Sequence, residues 1–153
     1  MSQGTVVSIN IARAASGPME ELAEVKAVAG RGLEGDRYFN KEGSFSETPG
    51  TGREVTLIES EAIDALARDY KLELKPGDAR RNIVTRGIAL NHLVGKEFRV
   101  GDVKLKGVRL NEPCNHLASL TDDKVKQGLV HRGGLRAEIL DDGTIRVGDP
   151  IDA

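Results

Sequence analysis

Along most of the chain, apolar residues alternate with polar ones or gather in short β-branched runs. Such runs occupy residues 5–11, 24–28, 54–58, 82–85, 98–100, 103–110, 135–140 and 144–147. Most are bounded by Gly, Asp or Pro, so each is predicted as a strand. Asp141-Asp142-Gly143, between the last two runs, predicts a hairpin turn. One segment carries the other period. Over 60–71, Ile63, Leu66, Ala67 and Tyr70 recur at helical spacing while Glu61, Asp64 and Arg68 fall elsewhere, which predicts an amphipathic helix. Shorter helices are expected just after Pro113 and over 122–129, the latter with Thr121 as N-cap. Many strands and few helices predict a mostly β fold, a closed or nearly closed β-barrel with a few short peripheral helices.

Length and composition narrow this picture. With 153 residues, one domain spanning 1–153 is expected. A chain of this size buries roughly 68–70% of its unfolded surface and needs no disulfide or structural metal to fold. Aromatic residues are 3% and tryptophan is absent, so the core must be built from Val, Ile, Leu and Ala. The 18 glycines, all but Gly133-Gly134, sit singly along the chain, as tight turns require. The string Arg-Val-Gly-Asp occurs at 99–102 and again at 146–149, each time ending a predicted strand in a turn, and is expected to be a repeated hairpin device. Residues 40–53 are polar and rich in Gly and Ser, a loop that is either mobile or a lid over a site.

Charge and targeting signals restrict the partners. Net charge is −2, with 22 basic and 24 acidic residues well mixed, so neither nucleic acid nor a membrane surface is an expected partner. The N-terminus, MSQGTVVSIN, lacks a basic n-region, and no stretch approaches the ~20 apolar residues of a membrane span. A cytoplasmic location is expected, with a small molecule or another protein as partner. The one cysteine, Cys114, cannot form an internal bridge, which fits a reducing compartment with a free thiol.

Gly30-Arg31-Gly32-Leu33-Glu34-Gly35 matches G-x-G-x-x-G, but a dinucleotide site also needs a helix to begin there. The following DRYFNKEGS cannot sustain one, so the glycines are expected to form a turn that sets up Asp36 and Arg37. Cys114, His92, His116 and His131 lack the spacing of a zinc site. Cys114 itself follows a long predicted strand and directly follows Pro113, a residue suited to the first position of a helix. A thiol in a first turn is held as thiolate by backbone N–H groups and the helix dipole, becoming a better nucleophile or soft-metal ligand. A small buried thiol is the bland alternative, but Asn111, Asn115 and His116 make a polar setting for one. Basic residues recur at turns: Arg80, Arg81 and Arg86 around one strand, Arg109 before the cysteine, and His131, Arg132 and Arg136 around Gly133-Gly134. Guanidinium forks suit phosphate or carboxylate, and a Gly-Gly pair would let backbone N–H groups approach an anion.

Together these segments resemble the MOSC family, named for the C-terminal domain of molybdenum cofactor sulfurases. Gly32-Leu33-Glu34-Gly35-Asp36-Arg37 is similar to its G-x-x-G-D turn, and Arg80-Arg81-Asn82-Ile83 to its R-x-N-I element. Residues 95–107 resemble the strand pair that follows, Glu112-Pro113-Cys114 the cysteine loop, and 131–137 with Gly148-Asp149-Pro150 the closing strands. The resemblance covers roughly residues 4–151. It implies a β-barrel with the cysteine in a cleft, either ligating molybdenum of a pterin-bound cofactor or carrying sulfur. Carried over by position, Cys114 would be the metal ligand and catalytic residue. Arg80, Asn82, Arg132, Arg136, Asp36 and Arg37 would be cofactor contacts. One implied function is a small oxidoreductase that reduces N-hydroxylated compounds with electrons from an external donor. A second is a sulfur carrier bearing a Cys114 persulfide supplied by a cysteine desulfurase, since the sequence holds no pyridoxal-phosphate domain of its own. A third is a non-catalytic pterin- or anion-binding module. Position 111 is Asn where many relatives have a second Cys, which argues against a dithiol mechanism.

Overall fold

The computed structural model describes residues 3–14, 16–37, 39, 54–111, 128–129 and 131–153. The loop expected at 40–53, Cys114 and His116, and the two shorter helices (save 128–129) lie outside the described residues. Strands run in the order β1 (Gln3–Ile11), β2 (Glu20–Leu22), β3 (Glu24–Val28), β4 (Gly32–Leu33) and β5 (Val55–Glu59). The helix α1 (Ser60–Tyr70) follows, then β6 (Ile83–Arg86), β7 (Glu97–Val100), β8 (Val103–Leu110), β9 (Leu135–Ile139), β10 (Gly143–Arg146) and β11 (Pro150–Asp152). Turns of 3-10 helix at Pro76–Ala79 and Leu90–Leu93 flank β6.

Seven strands close into a barrel in the order β11-β7-β8-β9-β5-β6-β1, with β11 pairing β1 to complete the ring. All neighbours are antiparallel except β5 and β6, which α1 joins as a parallel crossover unit. The fold is thus the closed barrel the strand pattern predicts, with α1 on its outside. The alternation of each strand sorts its side chains. Ile9, Ile83, Leu57 and Leu135 face one another across four adjacent strands and are all fully buried inside the barrel. Each such side chain contributes roughly 1.5–3 kcal/mol through burial. The opposite face of β5 and β6 presents Ile58 and Val84, which pack under Ala62, Ile63 and Leu66 of α1. The buried face of α1 therefore centres on Ala62, Ile63 and Leu66, with Ala67 and Tyr70 only at its margin. Lys71 in the left-handed conformation stops the helix, and Leu72 N–H donates to the Leu66 carbonyl at 3.2 Å.

Three expectations are corrected. The Asp141-Asp142-Gly143 hairpin does not form: β9 pairs β8 and β5, whereas β10 crosses to a separate three-stranded sheet, β10-β3-β4. The two carboxylates explain the departure. Asp141 Oδ1 accepts from Lys104 N–H at 2.7 Å and Asp142 Oδ1 from Ala29 N–H at 2.8 Å, so the connection is tied to its neighbours instead of folding on itself. Val25, Ala27, Leu33 and Ile145 of this second sheet join the apolar cluster of the barrel interior. The second copy of Arg-Val-Gly-Asp does end β10 in a turn, Asp149 N–H donating to the Arg146 carbonyl at 3.0 Å, but it leads into a different sheet, so only the first copy turns a hairpin, β7–β8. Finally, β2, β4 and β11 are absent from the predicted strands. Of these β11 is the seam of the barrel: Ile151 lies opposite Val100 on one side, and Gly4 opposite Ile151 on the other.

Glu54, just before β5, joins the two sheets. Its carboxylate accepts from Ile139 N–H at 2.9 Å, and burial pushes its pKa above the ordinary carboxylate value, partly offset by that bond. A raised folded-state pKa contributes stability below the unfolded value of 4.5 that is lost as pH rises through the folded value. Glu54→Gln keeps an acceptor for Ile139 and removes the titration. We expect its melting temperature to match wild type near pH 4 and to exceed it modestly at pH 7, as thermal unfolding at the two pH values would show.

Candidate functional site at the base of the cysteine segment

Directly beside the apolar row of Ile9, Ile83, Leu57 and Leu135, the pleat turns the next residues to the outer face. There Asn10, Asn82, Thr56, Arg136 and Arg109 form a polar row across β1, the start of β6, β5, β9 and β8. Asn82 is its centre. Its Oδ1 accepts from both N–H and Oγ1–H of Thr56 at 3.1 Å, and Thr56 Oγ1 accepts in return from Asn82 N–H at 3.0 Å. Asn82 Nδ2 donates to the Asn10 carbonyl at 3.1 Å and to Asp36 Oδ1 at 3.5 Å. Asp36 is fully buried; its Oδ1 also accepts from Ala12 N–H at 3.0 Å and from Arg37 Nη1 at 3.3 Å. The G-x-G-x-x-G run thus forms a turn and the short β4 that present Asp36 and Arg37.

A second cluster lies where β8 ends and β9 begins. Asn111, the last described residue before Cys114, is 5% exposed and held at three points. Its N–H donates to the Gly134 carbonyl at 2.8 Å, its carbonyl accepts from Arg81 Nη2 at 2.9 Å, and its Oδ1 accepts from Arg136 Nε at 2.9 Å. Arg81 is buried, and its Nε donates to the Gly133 carbonyl at 2.8 Å. One guanidinium therefore bridges the end of β8 and the turn into β9. Gly133 and Gly134 give their carbonyls here, to Arg81 and Asn111.

The predicted site residues fall into two groups. Asp36, Arg37 and Asn82 meet in the first cluster, and Arg136 belongs to the second. Arg80 is half-buried next to Arg81, in the left-handed conformation with φ 58°, its N–H closing the preceding turn on Gly77. Arg132 is exposed beside Gly133, close enough to Glu59 and Asp69 to favour their ionised forms. Burial raises the pKa of Glu59 nonetheless, while Leu90 N–H, donating at 3.2 Å, opposes the shift. His131, at φ 59°, gives its carbonyl to Asn91 Nδ2 at 2.8 Å. Cys114 lies outside the described residues, three positions after Asn111 in sequence. Arg81 and the clamp on Asn111 were not singled out by sequence reasoning, although the Arg80-Arg81 pair was.

Solved structures share this architecture. The YuaD protein from Bacillus subtilis superposes with a TM-score of 0.81 at 17% identity, covering 97% of this chain and 94% of that one. YiiM from Geobacillus stearothermophilus gives 0.75 at 16% identity over 97% of this chain and 74% of its own. YiiM from Escherichia coli gives 0.66 at 18% identity over 99% and 69%. At these identities the likeness is one of fold. No curated protein sequence matches the chain significantly. The MOSC domain matches residues 44–152, a span that includes Arg80 to Ile83, Cys114 and the start of β9. With the closed barrel and a match over most of its length, the chain belongs to the MOSC domain family.

Proposed function

We propose that the chain binds a molybdenum–pterin cofactor with the Cys114 thiolate on the metal and cationic side chains on the phosphate. The observation that carries the reading is the convergence of Arg81 and Arg136 on Asn111, which builds a fixed cationic base for the segment that carries the thiol. The donor set fits such a group: a thiolate is a soft ligand suited to molybdenum, and guanidinium forks suit phosphate. Arg80 and Arg132, neighbours of the clamp in sequence, are the phosphate contacts in this reading. Asn82, Asp36 and Arg37 are assigned to the scaffold that fixes the start of β6, because their polar atoms point at one another. When bound, the cofactor would supply two-electron redox chemistry, and the proposed reaction is reduction of an N-hydroxylated compound by an external electron donor.

The test is molybdenum and pterin content of the protein made in a host that assembles the cofactor. Near one molybdenum per chain is expected for the wild type. Molybdenum far below that, with about 32 Da of added mass on Cys114 as one sulfur atom, would replace this reading with the persulfide carrier.

A further inference from the structure

β8 carries its cations on one face, and a slip in the strand keeps them there. Lys104 and Lys106 point outward by alternation, while Val103 and Leu105 are buried. Strict alternation would next turn Val108 outward and Arg109 into the barrel. Instead the register with β9 shifts between Gly107 and Arg109, so Arg109 and not Val108 stands opposite Arg136 on the outer face. The slip begins at Gly107, whose lack of a Cβ leaves room for the Leu93 carbonyl. Bulges re-aim side chains, and this one adds a third cation to the row. Arg99 of β7, opposite Lys104, extends it sideways. Lys104 Nζ lies 3.5 Å from Glu97, but Lys106 and Arg109 are exposed and form no ion pair among the described residues. Glu97 and Glu138 flank Lys106 across the strands, and basic side chains still outnumber them on a chain of net charge −2.

We propose that this outer face of β7 and β8 docks an acidic segment of a partner protein, with Lys106 and Arg109 as its anchors. Outward side chains along a strand repeat at roughly 6.5–7 Å, the spacing of alternate carboxylates on an extended chain. The outward positions of β7 and β8 hold no aromatic side chain, so a nucleic acid would find phosphate contacts but nothing on which to stack its bases. Arg109 lies two residues before Asn111, so a partner held here is brought to the base of the candidate site. Naming that partner as the external electron donor rests on the reading of the protein as a reductase; the docking face itself does not. Complementary charge of this kind speeds encounter and weakens with salt.

The probe is a fluorescein-labelled oligoglutamate peptide, and fluorescence anisotropy with the full-length protein reads its dissociation constant. Wild type should bind it, and more weakly as salt rises. Arg109→Glu and Lys106→Glu should each weaken binding by about fivefold or more, and Arg109→Gln by less. Lys26→Glu, exposed on β3, changes net charge as much as either reversal and should shift the constant by less than about twofold. No binding by the wild type, or an equal loss in Lys26→Glu, overturns the proposal. Tighter binding of an oligothymidylate of the same length would make nucleic acid the occupant. Self-association in sedimentation that Arg109→Glu abolishes would make it a second copy, and either result overturns the assignment to an acidic protein. If the wild type binds oligoglutamate through Arg109 and Lys106 yet retains no molybdenum, the cofactor reading fails and the docking face stands.

Discussion

Gly134→Ala is expected to lower the melting temperature by about 10 °C, the largest effect of any single methyl in the barrel. Gly134 precedes β9 with φ +108°, a backbone region that L side chains rarely adopt. A Cβ placed there would also meet the Leu57 carbonyl of β5 far inside van der Waals contact. Backbone strain of about 1–3 kcal/mol adds to an overpacking cost of similar size. Each kcal/mol shifts a domain of this length by roughly 2–4 °C. The same substitution would push β9 away from β5 and disturb the Gly134 carbonyl that receives Asn111 N–H. Thermal unfolding by circular dichroism checks it, and an unchanged melting temperature would contradict the β5–β9 approach described above.

Asn82→Ala should cost about 3–4 kcal/mol of stability, since it orphans several buried groups at about 1–3 kcal/mol each before relaxation. Thr56 loses its acceptor, and the Asn10 carbonyl and Asp36 lose a donor. Asn82→Asp keeps the acceptor for Thr56 but sets a second carboxylate beside the buried Asp36, so it should be nearly as damaging. Urea unfolding midpoints for both variants distinguish scaffold from ligand contact. If Asn82→Ala unfolds at the wild-type urea concentration, the amide is not holding β1, β5 and β6 together and its assignment to the scaffold is wrong.

Strands with four or more residues were legible in the sequence because alternation leaves a trace: β1, β3, β5 to β10 and α1 all correspond to predicted runs. Strands of two or three residues leave none. In β11, Pro150-Ile151-Asp152 follows Gly-Asp and looks like the tail of a turn, yet it closes the ring. Proline is tolerated there because it occupies the first strand position, where its carbonyl receives Gly101 N–H at 2.8 Å. The failed hairpin at 141–143 has a related cause. Turn chemistry was visible, but the partners of the Asp141 and Asp142 carboxylates lie far away in sequence, at Lys104 and Ala29. At the site, the sequence drew attention to Arg80, Asn82 and Arg136 as side chains aimed at a ligand. Geometry shows Asn82 and Asp36 satisfying each other, and promotes Arg81 and Asn111, whose importance depends on main-chain carbonyls that no motif records.

The most direct test of the central claim compares molybdenum per chain in wild type and Cys114→Ser, both purified from a cofactor-competent host. A thiolate ligand on the cationic base predicts near one equivalent in the wild type and at least about a tenfold loss in Cys114→Ser, whose hydroxyl is a harder and far weaker ligand. Equal molybdenum in the two proteins, or none in either, would contradict it.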